Sequence, residues 1–248
     1  MNQIELHLTV GAVFFLGGAV KGVVGFGLPL VSITLLTPLY GLIDAIGMML
    51  LPAIITNFWQ AISGGRFITI WRRLWGLLLP GALFTWLTAN VLAQVDAYWP
   101  TVLLGLVILA YSGTGLWSWQ PPEPGHREKW LSPLAGMLTG VFSGLTGVLV
   151  FPLAVYLQAL RLDRQILLQA MGIYLLLANL VLASVFSWQG LFPQGIVSLA
   201  MTGVTAGLVG MALGRLIQKR LSERQFKRVF FLSLGVLGIY VFLGALSA

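Results

Sequence analysis

The chain contains no cysteine and only two histidines, His7 and His126, among its 248 residues. Disulfide bonds, thiol catalysis and zinc sites of the Cys/His type are therefore excluded. The seven carboxylates lie near the termini or in predicted loops, so no pair of them is placed inside a membrane span for acid–base catalysis. No P-loop nucleotide motif is present. The sequence thus indicates neither an enzyme nor a protein with a bound metal or other cofactor.

Charge of either sign is scarce. Charged residues make up 8% of the chain and hydrophobic residues 58%, whereas an average soluble domain has about 25% charged residues. Most of the eight apolar segments reach the ~20 residues that cross a bilayer. These segments are 6–38, 42–63, 74–95, 100–119, 131–160, 165–188, 192–214 and 229–247. The sequence therefore predicts an all-α polytopic membrane protein in contact with the lipid bilayer.

Basic residues outnumber acidic ones by 14 to 7, which gives a formal charge of +7. They lie in short loops rather than on one soluble basic face, which argues against a nucleic-acid partner. Cytoplasmic loops of membrane proteins are enriched in Lys and Arg, so the basic loops are predicted to be cytoplasmic. Basic residues occur in the loops at 64–73, 120–130, 161–164 and 215–228 and are absent from those at 39–44, 95–100 and 188–195.

A shift of the sequence by 122 positions aligns GAVKGVVG with GVFSGLTG. The same shift aligns two asparagines about 35 residues further on, and two matches at one shift indicate an internal repeat. The aligned pairs are Gly18 with Gly140, Gly22 with Gly144, Gly25 with Gly147, and Asn57 with Asn179. A polar, proline-rich stretch separates the two halves. The predicted organisation is repeat 1 at 1–119, a cytoplasmic linker at 120–130 and repeat 2 at 131–248.

The basic loops also predict the orientation of the repeats. If segment 131–160 crossed the membrane once, at least one basic loop would lie outside. If each first segment enters and returns to the same side, every basic loop is cytoplasmic and both termini are external. An unbroken helix of ~30 residues would also be about 45 Å long, well over the ~30 Å hydrocarbon core. The predicted fold is two inverted-topology repeats, each a re-entrant or broken helix hairpin followed by three transmembrane helices.

The stretch KGVVGFGLPL, residues 21–30, places a cation and helix-breaking residues inside an apolar segment. Broken backbone at membrane depth needs protein or water to satisfy its polar groups, and secondary transporters hold their substrates at such breaks. Pro29 and Pro152 suit the first turns of the returning half-helices, whose positive ends favour an anion. Lys21 adds a full charge. We therefore expect a small anion to bind at the midplane between the two breaks.

Candidate substrate-binding residues flank both breaks and include the asparagine of the following span. They are Lys21, Gly22, Gly25, Phe26, Gly27, Asn57, Gly144, Thr146, Gly147 and Asn179. Alternatives remain open, because GxxxG patterns also mediate helix packing and buried asparagines also join helices. Lys21 could instead snorkel to the outer interface. An anion channel that uses the same half-helix ends is the alternative function.

With these motifs the sequence resembles the TauE/SafE family of sulfite exporters and related organosulfonate and anion permeases. The resemblance rests on GAVKGVVGFGLP, GVFSGLTGVLVFP, the asparagine after each and the loop pattern, and it covers essentially the whole chain. It implies a multi-pass inner-membrane protein that moves sulfite, sulfoacetate, other sulfonates or small organic acids, commonly outward. Because no carboxylate lies mid-span, a proton relay of the common kind is not expected. Uniport, or co-transport with a proton carried by the substrate, fits better.

Overall fold

The computed structural model describes residues 3–117, 121–193, 195–218 and 223–246, apart from the side chains of Glu223 and Arg224. The predicted boundary between residues 119 and 120 lies outside the described residues, as do Lys219 and Arg220. The described chain forms ten α-helices and one 3₁₀ turn, Gly125–Arg127, with no strand. The helices are α1 (Gln3–Val24), α2 (Leu28–Tyr40), α3 (Leu42–Ile62), α4 (Phe67–Leu92), α5 (Tyr98–Leu116), α6 (Glu128–Thr146), α7 (Leu153–Ala159), α8 (Arg164–Trp188), α9 (Ile196–Gln218) and α10 (Glu223–Leu246).

Seven of the described helices are long and apolar enough to cross a membrane, namely α1, α3, α4, α5, α8, α9 and most of α10. Large apolar side chains lie on the outside of the bundle; Trp188, for example, is 88% exposed. Polar side chains such as Asn57 and Asn179 are fully buried. Soluble monomers rarely expose large contiguous apolar patches. The predicted all-α polytopic membrane protein is confirmed.

Both predicted interruptions are present as gaps between helices. The first break, residues 25–27, separates α1 from α2, and its Gly25 and Gly27 have φ values of 95° and 120°. The second break, residues 147–152, separates α6 from α7, and its Gly147 has φ 70°. Glycine adopts such angles at little steric cost. Pro29 is the second residue of α2, as expected for a first turn, whereas Pro152 comes just before α7.

The first hairpin, α1 and α2, returns to the end of the bundle from which it starts. Near the start of α1, His7 hydrogen-bonds to Thr202, early in α9. After the hairpin, Gly47 of α3 lies beside Pro193, which comes just before the start of α9. The start of α1 and the chain after α2 therefore lie at the same end of the bundle.

The second hairpin, α6 and α7, starts from the other end. Glu128 at the start of α6 pairs with Arg73 near the start of α4, at 3.4 Å. After the hairpin, Gln169 of α8 accepts a hydrogen bond from the backbone N–H of Arg66, just before α4. Because α3 separates this end from the one near Pro193, the two hairpins enter the bundle from opposite ends. The inverted-repeat symmetry and the domain limits stay predictions.

Each hairpin packs against a helix from the other half of the chain. Helix α1 lies along α9, and α6 lies along α4. Glycines permit the close approach: a Cβ on Gly18 would collide with the backbone of Gly207, and one on Gly140 with the backbone of Gly81. The GxxxG glycines therefore serve helix packing in both halves.

The depth of the breaks differs from the prediction. Helix α1 has 22 residues, about 33 Å of helix, which is enough to cross the hydrocarbon core by itself. Gly25 lies beside Leu168, the fifth residue of α8, and Gly147 lies beside Ile46, the fifth residue of α3. The breaks therefore lie near opposite ends of the bundle and do not meet at the midplane, because the first arm of the hairpin is nearly a full span.

Two helices begin six or seven residues before the apolar segments that predicted them. Helix α4 begins at Phe67 and α10 at Glu223, so Arg72, Arg73, Lys227 and Arg228 belong to helices and not to loops. Long basic side chains in the first two turns of a helix can reach the interface. In α4 and α10, the start of the helix predicted from hydropathy therefore lies inside the observed helix.

Candidate functional site

A cavity of about 280 Å³, here named the basic cavity, lies at the first break between the end of α1 and helices α3, α8 and α9. The packing of α1 on α9 and of α3 on α8 brings these four elements together. The cavity is lined by Lys21, Gly22, Gly25, Thr56, Gln60, Arg164, Gln165, Leu168, Met211, Arg215 and Gln218.

Lys21 is the buried cation of the basic cavity, with only 3% of its surface exposed. Its Nζ donates to Thr56 Oγ1 at 3.1 Å and to Asn57 Oδ1. A buried ammonium needs such partners, because its desolvation is costly. The alternative that Lys21 snorkels to the outer interface is wrong for this structure, since its side chain is held inside the bundle by α3.

Two further cations, Arg164 and Arg215, line the basic cavity and are exposed. No carboxylate is among the lining residues. Two ion pairs of the described residues, Arg73–Glu128 and Arg161–Glu123, involve other arginines. Like charges that share a cavity repel one another, so an anion between them lowers the electrostatic energy.

Two glutamines complete the wall around the end of α1. Gln218 Nε2 donates to the carbonyl of Val23 at 2.6 Å, which is one of the last carbonyls of α1 and lacks a helical partner. Gln60 Nε2 donates to the carbonyl of Leu168 at 2.7 Å. The first bond ties α9 to the end of α1, and the second ties α3 to α8 beside it.

Gly25 and Gly22 both line the basic cavity, and each also has a packing reason to be glycine. A Cβ on Gly25 would collide with Leu168, and φ there is 95°. A Cβ on Gly22 would lie 2.9 Å from Gly214 Cα. The packing role considered for Gly22 is therefore present together with its place in the cavity wall.

The predicted half-helix N-terminus is not the one at the cavity. Leu28 and Pro29, the first residues of α2, are buried and are not among the lining residues. Leu28 packs on Gly17 and Gly207, because the gap between α1 and α9 accepts it. Instead Arg164 and Gln165, the first residues of α8, line the cavity. The helix N-terminus at the basic cavity is therefore that of α8, and its first N–H groups have no partner within the helix.

Phe26 and Gly27, although predicted as binding residues, do not line the basic cavity. Phe26 lines a larger groove on another side of the break. Gly27 faces Val20 and Phe230. Within the first break, the structure therefore brings only Gly25 of the predicted residues to the basic cavity.

The predicted residues of the second break lie elsewhere, beside α3 and α4. A Cβ on Gly144 would lie 2.7 Å from the backbone nitrogen of Ala89. Thr146 Oγ1 donates to the carbonyl of Phe142 at 2.6 Å and accepts from the N–H of Val148 at 3.2 Å. A Cβ on Gly147 would collide with Ile33 and Ile46. These residues shape the break and do not line the basic cavity.

The two asparagines differ in their partners. Asn57 bonds to Lys21 through Oδ1, while its Nδ2 has no partner among the described residues. Neither amide atom of Asn179 has a partner among the described residues, and the side chain is fully buried. Ser143 Oγ, the group aligned with Lys21 by the repeat, is likewise buried and unpartnered there.

Sequence reasoning missed eight of the eleven lining residues. Arg164 and Arg215 lie in the predicted basic loops that mark topology, and the other six belong to no motif, namely Thr56, Gln60, Gln165, Leu168, Met211 and Gln218. Thr56 precedes Asn57, so its place beside the repeat asparagine was the one available signal.

A comparison with family models matched the sulfite exporter TauE/SafE over residues 10–241. Searches of curated proteins and of solved structures gave no match. The matched range contains both breaks and all ten candidate residues. The chain belongs to the sulfite exporter TauE/SafE family, a family of membrane transporters.

Proposed function

We propose that this chain is a secondary transporter that exports small sulfur-containing or organic anions, such as sulfite, sulfoacetate or other sulfonates, across the inner membrane. The observation that carries the proposal is the basic cavity, where Lys21, Arg164 and Arg215 line about 280 Å³ with no lining carboxylate. Family membership supports the anion class. The chemistry of the cavity supports the same class independently.

The three cations differ in exposure, so they would attract an anion at different distances. Arg164 and Arg215 are exposed and act at long range, where their attraction is screened by salt. Lys21 is buried, where the same charge acts in a lower dielectric. The start of α8 adds N–H groups that favour an anion. An anion would thus be drawn in by the arginines and held at Lys21.

We propose that the residues of the second break form the second half of the anion path. The unpartnered amide of Asn179 and the hydroxyl of Ser143 are costly to bury without hydrogen bonds. A substrate passing the second break would supply acceptors for them. The reciprocal contacts Gly25–Leu168 and Gly147–Ile46, related by the 122-residue shift, support two inverted repeats around one path.

The test is transport by the purified full chain in proteoliposomes, with sulfite, sulfate, thiosulfate, sulfoacetate, taurine and acetate as candidate substrates. Saturable counterflow of sulfite or a sulfonate, competed by other anions of that class, is the expected result. No counterflow of any of these anions would overturn the proposal. Large single-channel currents carried by the same anions would replace it with the anion channel.

A further inference from the structure

A second, larger cavity lies on another side of the first break, with a volume of about 590 Å³. Its wall is largely apolar and aromatic, with Phe26 of the break, Tyr111 of α5, and Phe230 and Phe231 of α10. Tyr111 and Phe231 stack edge to face with ring centroids 5.2 Å apart. This amphipathic groove, as we name it, shares Arg164 and Leu168 with the basic cavity but lies on another side of the first break.

Three cations, Arg161, Arg164 and Lys227, line one part of the amphipathic groove. Arg161 also pairs with Glu123 at 3.7 Å, in an exposed position. The lining residues include no carboxylate, so the charge of the groove wall is positive.

Charge and apolar surface are separated along the bundle axis. In α8, Arg164 comes one turn before Leu167 and Leu168, and all three line the groove. In α10, Lys227 comes one turn before Phe230 and Phe231. Both helices begin at the end of the bundle that the positive-inside rule places in the cytoplasm. The cations therefore lie toward the interface and the aromatic wall lies deeper.

We propose that the amphipathic groove binds an anionic phospholipid of the cytoplasmic leaflet. Its phosphodiester would lie at Lys227 and Arg164, and an acyl chain would lie along Phe230 and Phe231. The groove has about twice the volume of the basic cavity, and a small inorganic anion would leave its apolar wall uncovered. Basic pockets between helices on the cytoplasmic side suit anionic head groups. The bound lipid would contact Val24 and Phe26 and so stabilise the first break on the side away from the basic cavity.

The experiment is native mass spectrometry of the purified full chain with phosphatidylglycerol, phosphatidylcholine or glycerol phosphate. The matched variants are Lys227→Gln in the groove and Arg228→Gln, the exposed neighbour in α10 that does not line it. We expect wild type and Arg228→Gln to retain phosphatidylglycerol in preference to phosphatidylcholine. Lys227→Gln should lower the affinity for phosphatidylglycerol about fivefold, the effect of one basic residue near an anionic lipid.

A third variant tests the apolar part of the groove. Val155 lines it and is half-buried, so Val155→Trp should fill it and also reduce retained phosphatidylglycerol. Equal retention of both lipids by wild type would overturn the proposal. Equal losses in Lys227→Gln and Arg228→Gln would do so too, because they would indicate diffuse surface charge. Displacement of the lipid by glycerol phosphate alone would show that the apolar groove contributes nothing, which also contradicts it.

Discussion

The first and second breaks are built from aligned glycine motifs, yet only the first motif, GAVKGVVG, contains a cation. Lys21 of the first motif aligns with Ser143 of the second. Lys21 donates to Asn57, whereas Ser143 and Asn179 have no hydrogen-bond partner for their side chains among the described residues. A glycine with positive φ is thus common to the two breaks, and the charge is not.

Their surroundings differ in the same way. The first break borders the basic cavity, with Arg164 and Arg215 on its exposed side. At the second break, Val148, Leu149 and Val150 are all fully buried. Anion affinity is therefore expected to come from one break and from residues outside the repeated motif, while both breaks contribute the glycine geometry.

The largest expected contrast is all or none and concerns the two ends of the bundle. Because the chain has no cysteine, single-cysteine labelling is free of background. A membrane-impermeant maleimide applied to intact cells should label Gln189→Cys and should label Gln165→Cys only after permeabilisation. Both side chains are exposed. Labelling of Gln165→Cys from outside would invert the predicted topology and place the basic cavity on the external side.

Next in size is the loss of stability from a side chain at Gly25. Gly25→Ala places a methyl group against Leu168 at a φ of 95°, which combines backbone strain with overpacking at about 2–5 kcal/mol. Gly41→Ala is the matched control, because φ there is 83° and no atom lies within 4 Å of the added Cβ. It should lose only the strain of this backbone conformation, about 1–3 kcal/mol. Thermal unfolding in detergent measures both, and equal losses would mean that the contact with Leu168 does not matter.

Anion affinity should separate the two breaks more directly. Lys21→Met removes the charge and keeps an unbranched apolar stem, so substrate affinity should fall by about 1–3 kcal/mol, or roughly 5- to 150-fold. Ser143→Ala at the aligned position leaves no new unpaired group and should change affinity less than about twofold. Isothermal titration of monodisperse protein with the best substrate makes the comparison. Wild-type affinity in Lys21→Met would show that the lysine only joins α1 to α3.

The fold was largely predictable because the bilayer imposes it. Span length, basic loops and glycine-rich interruptions are local properties of the sequence, and they placed the helices and both breaks. The packing of α1 on α9 and of α6 on α4, each across the two halves of the chain, was not predictable. The position of a repeat boundary does not determine which helices are in contact. The breaks are not at the midplane, where the sequence predicts them, because α1 with its 22 residues is nearly a full span before the chain reaches Gly25.

The candidate site was predictable only where charge or backbone was unusual. Lys21 and Gly25 stand out in an apolar segment and do line the basic cavity. Arg164 and Arg215 lie at helix ends, where basic residues are common for reasons of topology, so nothing in the sequence marked them as lining residues. Only the packing of α8 and α9 around the end of α1 reveals them.

The smallest expected effect belongs to those two arginines. Arg164→Gln and Arg215→Gln each remove an exposed charge from the basic cavity, and exposed charges contribute about 0.2–1 kcal/mol. Each variant should therefore weaken substrate affinity by only about 1.5- to 5-fold, and the loss should shrink as salt is raised, because screening acts on exposed charges. Arg72→Gln is the matched control, since Arg72 is exposed and does not line the cavity.

The salt dependence distinguishes attraction in the cavity from a general surface effect. If Arg72→Gln weakened affinity as much as Arg164→Gln and Arg215→Gln, the arginines would act only through the overall positive charge of that end. If the two cavity variants lost affinity and Arg72→Gln did not, the cations would act from their places in the cavity wall. The second outcome is expected, because at 0.15 M ionic strength the screening length is about 8 Å, and Arg164 and Arg215 line the cavity whereas Arg72 does not.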